Sequence, residues 1–171
     1  MKQIQAERDH VDDMLESLRG LAAFDPEVEG IVDRIVGLSR RVRRTLEVTL
    51  EEFGLTLGEY KTLGRLREGD RSPGELAANA DLSSGAMTNR LDQLERAGLV
   101  ERRPDPGDRR GILVSATPKG TEIWIAAFAA QAEKEKLIAS ALDADEHREL
   151  NALLRRLMIS FESVEPGSPG C

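Results

Sequence analysis

One stretch of the chain, from Ser72 to Gly120, restricts the possible folds more than any other. The segment Ser72-Pro73-Gly74-Glu75 has the spacing of a capping box, in which serine and glutamate side chains satisfy free N–H groups at a helix start. The helix that begins there must be short, because Ser83 is placed to cap a second helix that runs to Ala97. Gly98 then favours the left-handed backbone that ends a helix. Two capped helices separated by so short a turn are typical of a helix-turn-helix.

A β-hairpin is predicted to follow the second helix. Residues 99–103 and 111–115 are short β-prone runs, and the two prolines and the glycine between them cannot continue either strand. The intervening loop, Pro104 to Arg110, is therefore expected to be rigid. It carries two adjacent arginines, Arg109 and Arg110, at its far end.

Helices with apolar stripes are predicted on both sides of this stretch. Residues 1–20 form an amphipathic pattern that ends at Gly20, and Asp25-Pro26 begins a helix whose apolar residues keep helical spacing up to Gly54. Thr117-Pro118 begins a later helix in the same way. The final helix carries an apolar face made of Leu150, Leu153, Leu154, Leu157, Met158 and Phe161. Because such faces need cover, we expect a dimer formed by both ends of the chain.

These elements predict a mainly α fold with a small β-hairpin wing, in which a winged helix-turn-helix lobe is joined to a helical dimerisation region from both chain ends. The expected divisions are an accessory helix at residues 1–20, a dimerisation region at 26–54 and 118–162, a winged helix-turn-helix at 55–117 and a disordered tail at 163–171. The chain has one cysteine, Cys171, and two histidines that lie far apart in sequence. We therefore expect neither a cofactor nor a metal.

A net charge of −7 is at first sight unsuited to an acidic partner. Residues 84–120, however, carry a local charge of +2, which leaves −9 on the rest of the chain. This polarity is compatible with one basic surface that approaches a nucleic acid. The sequence contains no run of about 18 apolar residues, and its N-terminus lacks the apolar core of a secretory signal. We expect a soluble cytoplasmic protein with no membrane partner.

The helix that Ser83 caps has small or hydrogen-bonding residues near its start. Met87, Leu91 and Leu94 are predicted to form its core face. The remaining residues of its N-terminal part are Ser84, Gly85, Ala86, Thr88, Asn89 and Arg90. In helix-turn-helix proteins this part of the second helix contacts base edges in the major groove of DNA, so we expect Ser84, Thr88 and Asn89 to discriminate sequence. A helix that simply begins with weak helix formers is the alternative.

Basic residues around this helix are predicted to hold the duplex. Those expected to contact phosphates are Arg90, Arg102, Arg103 and Lys119, and such contacts would make binding depend on salt. The arginine-bearing loop would reach into a narrow minor groove, where the negative potential is enhanced. Asp108 is placed to orient a neighbouring guanidinium. Alternatively, Asp108 and Arg110 form an ordinary surface ion pair worth under about 1 kcal/mol.

Taken together, these residues resemble the MarR family of winged helix-turn-helix regulators. The resemblance covers about Pro26 to Phe161, and its most specific part is Asp108-Arg109-Arg110 followed by the segment Val114 to Gly120. That pattern is similar to the family's wing, in which an aspartate, any residue and an arginine precede a strand and a Thr-x-x-Gly helix start. The segment Ser83 to Leu91 resembles the recognition helix of one branch, which includes members with an additional N-terminal helix.

The resemblance implies a homodimer that places two recognition helices in successive major grooves of a pseudo-palindromic DNA site and the wings in the flanking minor grooves. Arg110 would be the wing arginine, and Asp108 the carboxylate that orients it. Family members commonly repress transcription and release DNA when a small molecule enters a cleft between the dimerisation helices and the DNA-binding lobe. The implied partners are therefore double-stranded DNA, a second copy of the chain and a small-molecule effector.

The residues expected to line that ligand pocket are Leu18, Arg40, Arg44, Tyr60 and Lys61. Members that sense urate-like ligands have a tryptophan and an acid at the places where this chain has Leu18 and Lys61, so a urate-type effector is not expected. A cysteine-based peroxide sensor is not expected either, because no cysteine lies inside the domain. From the residues alone, the arginine cluster at positions 40–44 indicates either a solvated or ion-paired helix face or an anion-binding role.

Two other classes of function fit the sequence less well. An enzyme would need convergent acid, base or nucleophilic residues, and the chain has no paired carboxylates on one apolar face, no Ser/His/Asp order and no phosphate-binding loop. We therefore expect no enzymatic activity. The second alternative is a DNA-independent dimerisation module on the same fold, because most of the chain is negatively charged. Competition by random duplex at low salt would separate this alternative from a DNA-binding regulator.

Overall fold

The computed structural model describes residues 8–20, 25–108 and 110–164 of the chain. These residues form seven helices and one antiparallel pair of strands, and the predicted mainly α fold with a small hairpin is confirmed. The elements, in chain order, are α1 (His10–Ser17), α2 (Pro26–Glu51), α3 (Leu57–Arg67), α4 (Pro73–Asn79), α5 (Ser84–Arg96), β1 (Val100–Pro104), β2 (Ile112–Ala116), α6 (Pro118–Ala139) and α7 (Ala144–Val164). No helix in the described ranges is both long and apolar enough to cross a membrane.

The chain divides into two compact units, residues 1–48 and 49–171, and the division falls inside α2. In the first unit, Val11 of α1 is 2% exposed, and the Leu15 side chain of α1 lies close to Gly30 of α2. The Arg34 guanidinium on α2 donates to the carboxylates of Asp9 at 3.0 Å and Asp12 at 2.6 Å. These hydrogen bonds from Arg34 lower the pKa of Asp9 to about 2. The predicted helix within residues 1–20 is therefore present from His10 to Ser17, whereas residues 1–7 lie outside the described part of the chain.

Helix starts in the second unit follow the predicted capping residues. The backbone N–H of Ser72 donates to Glu75 at 2.8 Å, so the predicted capping box is confirmed. Helix α3 begins with a second capping box, in which the backbone N–H of Thr56 donates to Glu59 at 2.8 Å. The Ser83 hydroxyl accepts from the backbone N–H of the third residue of α5, which confirms the predicted start of that helix. Short-range hydrogen bonds of this kind satisfy N–H groups that have no partner inside the helix.

The core of the second unit lies between the helices and the inner face of the hairpin. Helix α4 contacts α5, α5 contacts β1, and α3 contacts α6 and β2. Met87, Leu91 and Leu94 are 0% exposed, which confirms the predicted core face of α5. Other core side chains in the described residues include Leu50, Leu55, Leu63, Leu66, Leu76, Leu99 and Val114. Burial of each such side chain stabilises the fold by roughly 1.5–3 kcal/mol before conformational entropy is subtracted.

The hairpin pairs Val100 with Ala116 at one end and Pro104 with Ile112 at the other. Both strands lie one residue later than predicted, and the expectation that Pro104 lies outside the strand was wrong. The next ladder bond runs from the Asp105 N–H to the Gly111 carbonyl at 3.0 Å. Because ladder bonds alternate along an antiparallel pair, Pro104 occupies a position that needs no N–H donor.

The described ends of two other helices also differ from the sequence-based boundaries. Helix α2 ends at Glu51 rather than at Gly54, which adopts a positive φ of 67° three residues later. Helix α7 extends to Val164 and so includes the first two residues of the predicted tail. The rest of that tail, residues 165–171, lies outside the described part of the chain.

Candidate nucleic-acid interface

The N-terminal half of α5 presents its small and polar side chains to solvent. Ser84, Gly85, Ala86, Thr88 and Asn89 are exposed. A side chain built at Gly85 would have no atom of the protein within 4 Å, so nothing in the described residues covers this surface. The expected recognition helix is therefore accessible to a duplex over its first turns.

Arg90, by contrast, is half-buried and points towards α3. A Cβ atom at Gly58, in the first turn of α3, would lie 2.6 Å from a guanidinium nitrogen of Arg90. The guanidinium also donates to the Thr62 hydroxyl at 3.5 Å. Arg90 thus packs between α5 and α3, and a phosphate contact from this side chain requires it to leave that position. Its role in DNA contact remains a prediction.

Arg102 on β1 is held by two carboxylates of the recognition helix. Its guanidinium lies 2.7 Å from the Asp92 carboxylate and 2.6 Å from the Glu95 carboxylate, and the Arg102 side chain is 23% exposed. These contacts connect the hairpin to α5 and offset part of the negative charge of two acids that would otherwise repel a nearby phosphate. Sequence reasoning missed this arrangement, although the spacing of Asp92 and Glu95 places them on neighbouring positions of one helix face.

Arg103 and Lys119, which were also expected to contact phosphates, have partners within the second unit. Arg103 forms an ion pair with Asp70, and Asp70 also accepts from the buried Ser115 hydroxyl at 2.7 Å. The Lys119 ammonium donates to the Ala97 carbonyl at 2.8 Å, a favourable position for a cation at the end of α5. Asp70 therefore ties β1 and β2 to the turn after α3.

We call residues 105–111 the wing tip and the paired strands β1 and β2 the wing base. At the wing tip, the Asp108 carboxylate accepts from the backbone N–H of Arg110 at 2.9 Å, and the Asp105 carboxylate accepts from the backbone N–H of Gly107 at 2.8 Å. Asp108 thus contacts the backbone of Arg110. Its contact with the Arg110 guanidinium remains a prediction. Arg110 is exposed, and its side chain has no ion pair with a described residue. Arg109 lies outside the described residues.

The residues expected to line a ligand pocket are divided between the two units. In the first unit, Leu18 is half-buried, whereas Arg40 and Arg44 are exposed and one turn apart on α2. In the second unit, Lys61 is exposed and Tyr60 is half-buried on α3. Whether these residues share a ligand remains a prediction.

Tyr60 belongs to a stack of aromatic rings that joins α3 to α6. Its ring centroid lies 5.6 Å from that of Trp124, which in turn lies 5.3 Å from that of Phe128. The Arg67 guanidinium covers the Trp124 ring at 4.5 Å, a distance suited to a cation–π contact. Burial, and secondarily the negative charge of Glu135, raises the pKa of Tyr60. Trp124 is thus mainly a packing residue between α3 and α6.

Within the described residues, no three His, Cys, Asp or Glu side chains are grouped so that they could hold a metal ion. The functional geometry of the second unit is instead an exposed helix, α5, joined to a two-stranded wing that carries arginines. A capped helix pair followed by such a hairpin defines a winged helix-turn-helix protein.

Comparisons with known proteins identify the family. A model described as the MarR family matches residues 55–112. The chain is 31% identical to the multiple antibiotic resistance protein MarR of Salmonella typhimurium over 71% of this chain and 85% of that protein. It is 28% identical to the HTH-type transcriptional regulator PecS of Dickeya dadantii over 78% of this chain and 83% of PecS. A solved structure of a mutant MarR from E. coli complexed with operator DNA is 29% identical, with a TM-score of 0.62 over 77% of this chain and 95% of that chain. The chain belongs to the MarR family of winged helix-turn-helix transcriptional regulators.

Proposed function

We propose that this DNA-binding transcriptional regulator acts as a repressor on a pseudo-palindromic operator. The observation that carries the proposal is the pairing of an uncovered recognition surface on α5 with an exposed arginine, Arg110, at the wing tip. The first turns of α5 would enter the major groove, and the wing tip would lie over the adjacent minor groove. The same comparisons that establish the family include a relative bound to operator DNA. A cytoplasmic location and the lack of a membrane partner would follow from this role.

The predicted contacts fall into groups on structural grounds. Ser84, Gly85, Ala86, Thr88 and Asn89 would face base edges, because they are exposed on α5. At the wing, Arg110 and its neighbours Asp108 and Arg109 would lie at the minor groove. Arg103 is 52% exposed and would contact a phosphate more readily than Arg102, which is 23% exposed and held by two acids. Arg90 and Lys119 would have to exchange their present partners for phosphates.

The active form is proposed to be a homodimer. Helix α7 carries large apolar side chains that are 39–69% exposed in the single chain: Leu150, Leu153, Leu154, Leu157, Met158, Ile159 and Phe161. Considered separately, the first part of α2 leaves Val28, Ile31, Val32, Ile35 and Val36 exposed. Apolar surfaces of this extent are rare on monomers, and a second copy would cover them. Light scattering of the purified protein is expected to give twice the mass of one chain.

Release of the operator by a small molecule is proposed as the regulatory step. Such an effector would be detected as a compound that lowers operator affinity without unfolding the protein. Alanine substitutions at Leu18, Arg40, Arg44, Tyr60 and Lys61 would then reduce the response to the compound while preserving operator binding in its absence. A substitution at an exposed residue outside this set, such as Arg19→Ala, serves as the control.

Selection of bound duplexes from a random pool tests the proposed function directly. Repeated selection at moderate salt is expected to enrich a palindrome with two half-sites one helical turn apart, because a two-fold dimer presents two recognition helices. Binding to the selected duplex should weaken steeply as salt increases. Failure to enrich any sequence, together with the absence of binding to random duplex at low salt, would favour the alternative of a DNA-independent dimerisation module.

A further inference from the structure

We infer that Asn89 recognises an adenine in the major groove and is the principal residue through which α5 selects its operator. The inference rests on the proposed DNA-binding function and goes further, because it assigns one base to one side chain. It depends on where Asn89 lies on the helix, on which hydrogen-bonding groups its neighbours leave free, and on the chemistry of the amide.

Asn89 lies on the side of α5 opposite the core. Successive residues of an α-helix are separated by about 100°, so Asn89 is about 200° from Met87 around the helix axis. Met87, Leu91 and Leu94 are all 0% exposed, which fixes the direction of the core. The residue one turn before Asn89 is Gly85, which has no side chain to hold a duplex away. Asn89 is therefore the polar side chain that projects furthest from the protein in the first two turns.

Three neighbouring side chains on α5 already use groups that could contact a base. The Thr88 hydroxyl donates its proton to the Ser84 carbonyl at 2.8 Å, so Thr88 offers only an acceptor and a methyl group. Arg90 is turned towards α3, and Asp92 is held by Arg102. By contrast, the Asn89 amide makes no hydrogen bond within the described residues of the protein. It retains both its NH₂ donors and its carbonyl acceptor.

A free amide at this position matches adenine better than any other base. An asparagine side chain can accept from the N6 amino group of adenine and donate to N7 at the same time. Gln93 is the one rival on this side of α5, since it is also exposed and carries an amide. It lies one turn further from the helix N-terminus, however, and the N-terminal residues of a recognition helix are those that reach the base edges.

Replacement of single atoms in the operator tests the assignment. Each adenine of the selected duplex is replaced in turn by 7-deazaadenine, which keeps Watson–Crick pairing but lacks the N7 acceptor. For the wild-type dimer, replacement at one position of each half-site is expected to weaken binding roughly tenfold, because one bond of a bidentate contact is lost. In Asn89→Ala, the same replacement should have no further effect, although the variant itself binds roughly 5- to 150-fold more weakly.

Two further variants complete the design. Asn89→Asp keeps the size of the side chain but lacks the NH₂ donors, and it should lose the response to N7 as Asn89→Ala does. Gln93→Ala should keep the full response. The inference is overturned if the selected half-sites contain no adenine, if Asn89→Ala retains the N7 response, or if Gln93→Ala abolishes it. Failure of the wild-type protein to select any duplex would instead reject the proposed function, so the two failures are distinguishable. Thermal melting of each variant checks that the fold is intact.

Discussion

The wing base and the wing tip contain the same type of residue in different surroundings. At the wing base, Arg102 is paired with two carboxylates of α5 and Arg103 with Asp70. At the wing tip, Arg110 is exposed, and none of the described ion pairs includes it. Partly exposed ion pairs contribute little to stability, so the pairs at the wing base matter mainly because they fix where the wing stands relative to α5. The wing tip is left with a guanidinium that can bind DNA.

Two glycines, one beside the wing base and one at the wing tip, show the same difference in packing. Gly120, at the start of α6, lies directly against the backbone of Leu99, which leads into β1, and a Cβ there would overlap the Leu99 carbonyl group. Gly107 at the wing tip has space, because the nearest atom to a built Cβ is an Asp105 carboxylate oxygen at 3.4 Å. The chain is thus tightly packed beside the wing base, whereas position 107 of the wing tip has room for a methyl group.

The largest effect is expected from Gly120→Ala. The new methyl group would force backbone atoms apart, and overpacking of this kind destabilises a protein by about 3 kcal/mol or more. Urea unfolding followed by circular dichroism would measure the loss. Gly107→Ala is the matched control and should change the free energy of unfolding by less than about 0.5 kcal/mol. Equal effects of the two substitutions would contradict the contrast between a packed base and an open tip.

Arg110→Ala is expected to weaken operator binding by about 1–3 kcal/mol while the dimer and its melting temperature stay unchanged. The physical reason is the loss of a guanidinium that no described side chain of the protein neutralises. Fluorescence anisotropy at several salt concentrations would measure the affinity and its salt dependence. Arg19→Ala replaces an arginine that is 79% exposed, in the first unit, and should leave binding unchanged. Unchanged operator affinity in Arg110→Ala at moderate salt would refute the assignment of the wing arginine.

A smaller effect, about 1 kcal/mol in operator affinity, is expected from Arg102→Met. The substitution would leave Asp92 and Glu95 unpaired near the duplex and would free the wing from α5. The informative measurement is a double-mutant cycle with the variant Asp92→Asn/Glu95→Gln. If Arg102 acts through these acids, Arg102→Met should have little effect on operator affinity in the variant whose acids are neutral. The same loss in both backgrounds would mean that Arg102 contacts phosphate directly, as the sequence alone suggested.

The sequence could predict where helices begin, but it could not predict which arginines of the wing are paired within the protein. Helix starts at Ser72 and Ser83 depend on residues only three positions away, and they were predicted correctly for that reason. The partners of the wing-base arginines depend on tertiary packing, since Asp70 lies 33 residues from Arg103. No local pattern distinguishes a paired arginine from a free one. Arg102, Arg103 and Arg110 were therefore all predicted to contact DNA, and the structure separates the first two from the third by their surroundings.

The smallest effect concerns Arg90, a third arginine with an internal contact. Gly58 and Gly74 are each the second residue of a helix that begins with a capping box. A Cβ at Gly58 would meet the Arg90 guanidinium, whereas at Gly74 the nearest atom is 3.9 Å away. Gly74→Ala is expected to stabilise the protein by about 0.5 kcal/mol, because alanine lowers the entropy of the unfolded chain. Gly58→Ala should stabilise the protein less, since the new methyl group must displace the Arg90 guanidinium. In an Arg90→Ala background, the two substitutions should stabilise the protein by equal amounts, as measured by thermal unfolding. A full gain from Gly58→Ala in the wild-type background would show that Arg90 does not rest on α3 and is free, like Arg110, to reach the duplex.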